Sequence, residues 1–190
     1  MWIRNPDRSR AQQLQNGRFH YNWARTGEGH YPRYGDFRPE FEQCFDRFCR
    51  FVSSESLGEV RPNQWELTYI NVIDKGTVWE EPADWRDLFA STIQLPSELH
   101  DCGLESFQGE WHYRLQHVLG RLHVQLRHAR HSETQSEALI LTLTARGPAG
   151  DGGTAQASLF EGLDRGHEAI VRSFVNLTAQ HAHQHWELEP

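Results

Sequence analysis

Polar and apolar residues alternate on both sides of Asn16-Gly17, the dipeptide that most favours a two-residue type I′ turn. A hairpin turning there pairs Gln15 with Arg18, Gln13 with His20 and Ala11 with Asn22. Leu14, Phe19, Tyr21 and Trp23 then share the other face, because successive side chains of a strand point to opposite sides. Thr26-Gly-Glu-Gly-His30 is expected to turn. Between Asp36 and Ser53 the period changes to three and four, and Phe37, Phe41, Cys44, Phe45, Phe48, Phe51 and Val52 form an apolar stripe. This predicts an amphipathic helix over 36–53, capped by Asp36 and followed by Gly58. An aromatic stripe of this kind is far more often core than cofactor box, so its face is expected to lie on a sheet. Period two returns from Asn63 to Ile73, with Trp65, Leu67, Tyr69, Asn71 and Ile73 on one side.

Further along, a short helix is expected from Pro82 to Phe89, and a loop over 90–106, where Pro96 and Gly103 break any pattern. Glu110–Val118 and Arg121–Ala129 alternate as strands, and the continuous run Leu139–Ala145 suits a central strand. Gly147–Ala157 reads as a flexible loop. Asp164 is expected to cap a helix with Ile170, Val171, Phe174 and Leu177 as its stripe, and Thr178 to cap a last short helix. The fold class that follows is α+β. One antiparallel sheet of about six strands carries the 36–53 and 164–177 helices on one face, in a single domain spanning 1–190. There is also an internal echo. Gly17-Arg18-Phe19-His20-Tyr21 and Gly120-Arg121-Leu122-His123-Val124 match, with Gln13 opposite His20 and Gln116 opposite His123. The echo fits two related halves, 10–73 and 107–177, and chance explains it equally well.

Composition narrows the class. A chain of 190 residues with 37% hydrophobic and 12% aromatic residues needs no metal or disulfide to be stable. No apolar run approaches the roughly 18 residues of a membrane span, and Met1–Pro6 carries no signal-peptide core. Cys44, Cys49 and Cys102 are an odd set without a CxxC, which points to reduced thiols in a cytoplasmic protein. The net charge is -7. Residues 1–95 hold 12 basic and 14 acidic groups, and 96–190 hold 7 and 12, so general nucleic-acid binding through phosphate neutralisation is not expected.

Six segments in order carry a family resemblance: Arg18-Phe19-His20-Tyr21-Asn22-Trp23, Tyr31-Pro32-Arg33-Tyr34, Pro62 to Asn71, Gly120 to Val124, Leu141 to Gly147 and Gly166 to Phe174. Together they resemble an uncharacterised, sporadically distributed prokaryotic protein family. The resemblance implies an α+β fold and no established activity, cofactor or catalytic residue. Members of that family start earlier, so the chain is expected to lack the family's N-terminal strand and helix.

For chemistry, His181 and His185 stand i,i+4 on an expected helix and could share a metal, with a third ligand from elsewhere. A solvated terminal helix is the plainer reading. His167-Glu168 could exchange protons, though packing or capping is the commoner role. There is no Gly-x-Ser-x-Gly elbow, and Gly150-Asp-Gly-Gly153 lacks the Lys-Ser/Thr of a phosphate loop. The polar strand faces remain. One carries Gln13, Gln15, Arg18, His20 and Asn22, the other His112, Arg114, Gln116, Arg121, His123, Gln125 and Arg127. Such side chains donate several directed hydrogen bonds. Arg18, His20, Asn22, Arg114, Arg121 and His123 are therefore the candidate ligand site, expected on one face of a common sheet. An ordinary solvated face is the competing reading. The function that follows is a non-catalytic module binding a protein or a small acidic ligand, with no cofactor and no membrane contact. The alternative is a hydrolase-type enzyme using His20 and His123, or the terminal histidines with a metal. Homo-oligomerisation is left open.

Overall fold

The computed structural model describes residues 1–15, 17–25, 32–89, 100–150 and 155–186. The expected turn at 26–30 lies outside the described residues, as do Asn16 and most of the expected 90–106 loop. The chain forms two compact units, Met1–Val60 and Arg61–Pro190. Both are α+β, with antiparallel sheets of three and four strands, so the strands do not form the one sheet of about six that alternation suggested.

In the first unit, β1 (Trp2–Arg4), β2 (Arg10–Gln15) and β3 (Arg18–Trp23) follow each other in space. The hairpin register is the one Asn-Gly dictates, with Gln15 opposite Arg18, Gln13 opposite His20 and Ala11 opposite Asn22. Gly17 takes a φ of 73°, the left-handed value that a type I′ turn requires. Strand β1 has no counterpart in the sequence reading, since three exposed residues are too few to show a period. Helix α1 (Tyr34–Ser54) begins two residues before the expected start, with Arg33 at its N-cap. Asp36 sits in its first turn and is not the cap. The aromatic stripe packs on β3, where Phe19 meets Phe41, Phe45 and Phe48 at ring-centroid distances of 5.9, 5.5 and 5.3 Å. Tyr21 meets Phe37 at 5.0 Å. The same face holds a polar knot. Arg10 donates from Nε to Glu40 Oε2 (2.7 Å) and from Nη2 to Oε1 (3.3 Å), and the Tyr21 hydroxyl donates to Oε2 (2.8 Å). The arginine fork holds the Glu40 carboxyl below its ordinary range.

The second unit is built on β4 (Gln64–Asp74), β5 (Gln108–Arg114), β6 (Arg121–Arg130) and β7 (Glu137–Pro148), in the order β4-β7-β6-β5. The apolar run is central, as expected. Helix α3 (Ala155–Leu177) lies on β7, β4 and β6. It starts well before Asp164, which is therefore mid-helix and caps nothing. Ala155 to Phe160 favour helix, and the adjoining glycines hid them. Ile170 and Leu177 are buried as expected, while Val171 is exposed. The core is Trp65, Val124, Leu126, Leu139, Leu141, Leu143 and Ile170, all under 2% exposed. Trp65 occupies a slot walled by glycines. A Cβ at Gly166 would come within 2.8 Å of its ring, one at Gly147 within 2.8 Å and one at Gly120 within 3.2 Å, and one at Gly162 would collide with its indole nitrogen.

Strand β5 ends at Arg114, not Val118, because the Leu115 N–H turns back to Gly120 O (3.1 Å). His123 therefore faces His112 across the pair, and Gln116 lies outside the strand. The Gln-opposite-His echo holds only in the first hairpin. The expected 82–89 helix is a 3-10 turn at Pro82–Asp84 followed by α2 (Trp85–Leu88). Helix α4 (Gln180–His185) closes the described chain, with Ala179 rather than Thr178 at its N-cap. Among the described residues no helix is long and apolar enough to cross a membrane.

Candidate functional site

With α3 on one face of the four-stranded sheet, the other face presents every second residue of its strands, and register decides which of them become neighbours. Three rows follow from the pairings. Glu66, Arg146, Arg121 and Arg114 lie side by side across β4, β7, β6 and β5. The next row is Thr68, Thr144, His123 and His112, and the third Ile70, Thr142, Gln125 and Glu110. The face thus begins in three arginines, passes through two histidines and, on β4, ends in exposed aliphatic residues, Ile70 (66% exposed) and Val72 (58%), while Arg127 and Gln108 close it on β6 and β5.

The arginine row borders a cleft of about 460 Å³, which Arg114, Arg121, Arg146, Leu119 and Gly120 help to line. Arg146 stands 3.9 Å from Glu66. Among the described residues no carboxylate lies within ion-pair distance of Arg114 or Arg121. Like charges held in one row repel, and a bound anion relieves that repulsion while accepting charge-assisted hydrogen bonds.

Beside the row, Arg146 donates from Nε to His123 Nε2 (3.1 Å). His123 is pushed below the ordinary histidine range, first by burial and then by the Arg146 charge. The His112 ring lies 4.3 Å from that of His123, centroid to centroid. Glu110 Oε1 accepts from His112 Nε2 (2.8 Å) and from Gln125 Nε2 (3.2 Å), which hold its carboxyl below the ordinary range.

The six residues read from the sequence are therefore divided. Arg114, Arg121 and His123 come together on this face. Arg18, His20 and Asn22 lie on β3, on the face of the first unit's sheet away from Phe19 and Tyr21, so the expected common face does not form. Glu110 and Arg146 were missed. Glu110 does stand i,i+2 from His112, and Arg146 has the parity of Thr142 and Thr144, but only the register joins them.

His181 and His185 are exposed on α4, and the group of three possible metal ligands found among the described residues does not include them. His183 binds Thr178 Oγ1 (2.7 Å). The Thr178 hydroxyl hydrogen goes to Phe174 O (2.7 Å), so the imidazole is the donor and does not act as a base towards this threonine. His167 Nδ1 lies 3.0 Å from the Tyr69 hydroxyl and joins α3 to β4. Set against protein-family models, curated proteins and solved structures, the chain matches none.

Proposed function

We propose that the chain is a binding module that takes an acidic ligand on the open face of its four-stranded sheet. The observation that carries this reading is the row Arg114, Arg121 and Arg146, set on three neighbouring strands over one cleft. Arginine forks suit carboxylate and phosphate groups, which accept two parallel hydrogen bonds. Binding is preferred over hydrolysis because the Thr178 hydroxyl, the one closest to an imidazole among the described residues, is buried and donates to Phe174 O, the wrong donor order for a nucleophile with His183 as its base.

Calorimetric titration with inorganic phosphate and with a glutamate-rich peptide tests the reading. Arg114→Ala and Arg121→Ala should each weaken binding, with unchanged circular dichroism. Wild-type protein that binds neither probe, or variants that bind like wild type, would remove the proposal.

A further inference from the structure

We propose that Glu110, His112 and His123 form a site for one divalent transition-metal ion of the zinc class. The proposal does not rest on the anion reading, although the two sites adjoin. Glu110 and His112 are i,i+2 on β5 and point the same way, and His123 is the direct cross-strand partner of His112 on β6. One ligand atom from each lies within 4.8 Å of the other two. Two of the separations are 2.8 Å, from Glu110 Oε1 to His112 Nε2, and 3.9 Å, from Glu110 Oε1 to His123 Nδ1. Ligands about 2.0–2.1 Å from a tetrahedral zinc stand roughly 3.3 Å apart. The observed spacings bracket that value, so small side-chain rotations on a fixed pair of strands suffice.

Two imidazoles and a carboxylate suit zinc, cobalt, nickel or iron better than magnesium or calcium, which prefer oxygen. Gln125 donates to Glu110 and would orient it as an outer partner. The side chains of His112 and Glu110 are 53% and 46% exposed, so three protein ligands leave a coordination position facing solvent. Three protein ligands and an open position are the arrangement of sites that act on a ligand rather than brace a fold.

The hydrogen bonds give the site a further property. Arg146 donates to His123 Nε2, so the neutral ring carries its proton on Nδ1, the atom nearer Glu110. A metal on Nδ1 moves that proton to Nε2, and two N–H groups then face each other. Metal on Nε2 displaces the guanidinium directly. Either way loading the metal frees Arg146, which the cleft also uses.

The test is calorimetric titration of the untagged full chain with Zn²⁺ alone, with Co²⁺ as an optical reporter. One equivalent should bind. His112→Ala, His123→Ala and Glu110→Gln should each weaken it by at least about tenfold, with unchanged circular dichroism, whereas His181→Ala/His185→Ala should not. Arg146→Gln should bind Zn²⁺ several-fold more tightly and phosphate more weakly, while Arg114→Ala should affect phosphate alone. Absence of Zn²⁺ binding overturns the site, as does binding lost only with His181 and His185. Unchanged or weaker Zn²⁺ binding by Arg146→Gln overturns the coupling to Arg146.

Discussion

Strand β3 opens with Arg18-Phe19-His20-Tyr21 and β6 with Arg121-Leu122-His123-Val124, and each sends its Arg and His to the face away from a helix. Their surroundings differ. Among the described residues β3 is an edge strand with β2 as its one neighbour, whereas β6 runs between β5 and β7. His20 has Gln13 beside it, while His123 has His112 on one side and Thr144 on the other. The interiors differ in the same sense. Phe45 is the one buried residue described in the first unit, and in the second unit β6 alone contributes Leu122, Val124 and Leu126 to the core. A strand flanked on both sides can join a site, because each row receives groups from three strands; an edge strand offers its own side chains and those of one partner.

Equal deletions in the two sheets put the comparison at greatest risk. Leu122→Ala, at a position 4% exposed, should cost about 2–5 kcal/mol in urea unfolding. Leu14→Ala, at a half-buried position opposite Phe19, should cost clearly less. Equal losses would mean that depth of burial does not separate the two sheets. Next in size is affinity. Arg121→Ala should remove about 1.5–3 kcal/mol of phosphate binding, and Arg18→Ala none, by the same calorimetry.

Acid should loosen the first unit through Glu40. Glu40 has a folded pKa below its unfolded one, so its contribution is complete above the ordinary carboxylate range and fades as pH falls through the depressed value. Hydrogen exchange followed from neutral pH downwards should show α1 and β3 loosening over that window, and Glu40→Gln should remove the step while costing about 1 kcal/mol or less at neutral pH. Acid loosening unchanged in Glu40→Gln would assign it to another group. The smallest effect is on stability. Arg18→Ala and Arg121→Ala should each stay within about 0.5 kcal/mol of wild type, and a large loss for Arg121 would make that residue structural.

The parts of this molecule that were legible are those that local chemistry decides. Asn16-Gly17 with its flanking alternation predicts the β2–β3 register to the residue, and the α1 stripe its aromatic face. Leu115 misled because it continues the period of Trp111 and Tyr113, although its backbone already belongs to the turn at Gly120. The division into two sheets was not legible, since alternation shows which way a side chain points and not which strand lies beside it. The site follows the same logic. Arg114, Arg121 and His123 could be picked out by parity alone. Arg146 enters only through the pairing of β7 with β6, and Glu110 only once β5 is known to end at Arg114.

The glycine-walled slot around Trp65 has an evolutionary consequence. Among the described residues the buried indole nitrogen of Trp65 meets no acceptor, so its large ring serves volume and shape there and not a hydrogen bond. Neither side of the fit can change alone: a side chain at Gly162 or Gly166 collides with the ring, and a smaller residue at 65 leaves a void between α3 and the sheet. Among descendants of this sequence, positions 65, 162 and 166 should therefore change together or not at all, whereas Gly120 and Gly147 are held in any case by backbone oxygens, Arg146 O and Leu119 O. A lineage that replaces Trp65 with a small aliphatic residue should be the one in which alanine first appears at 162.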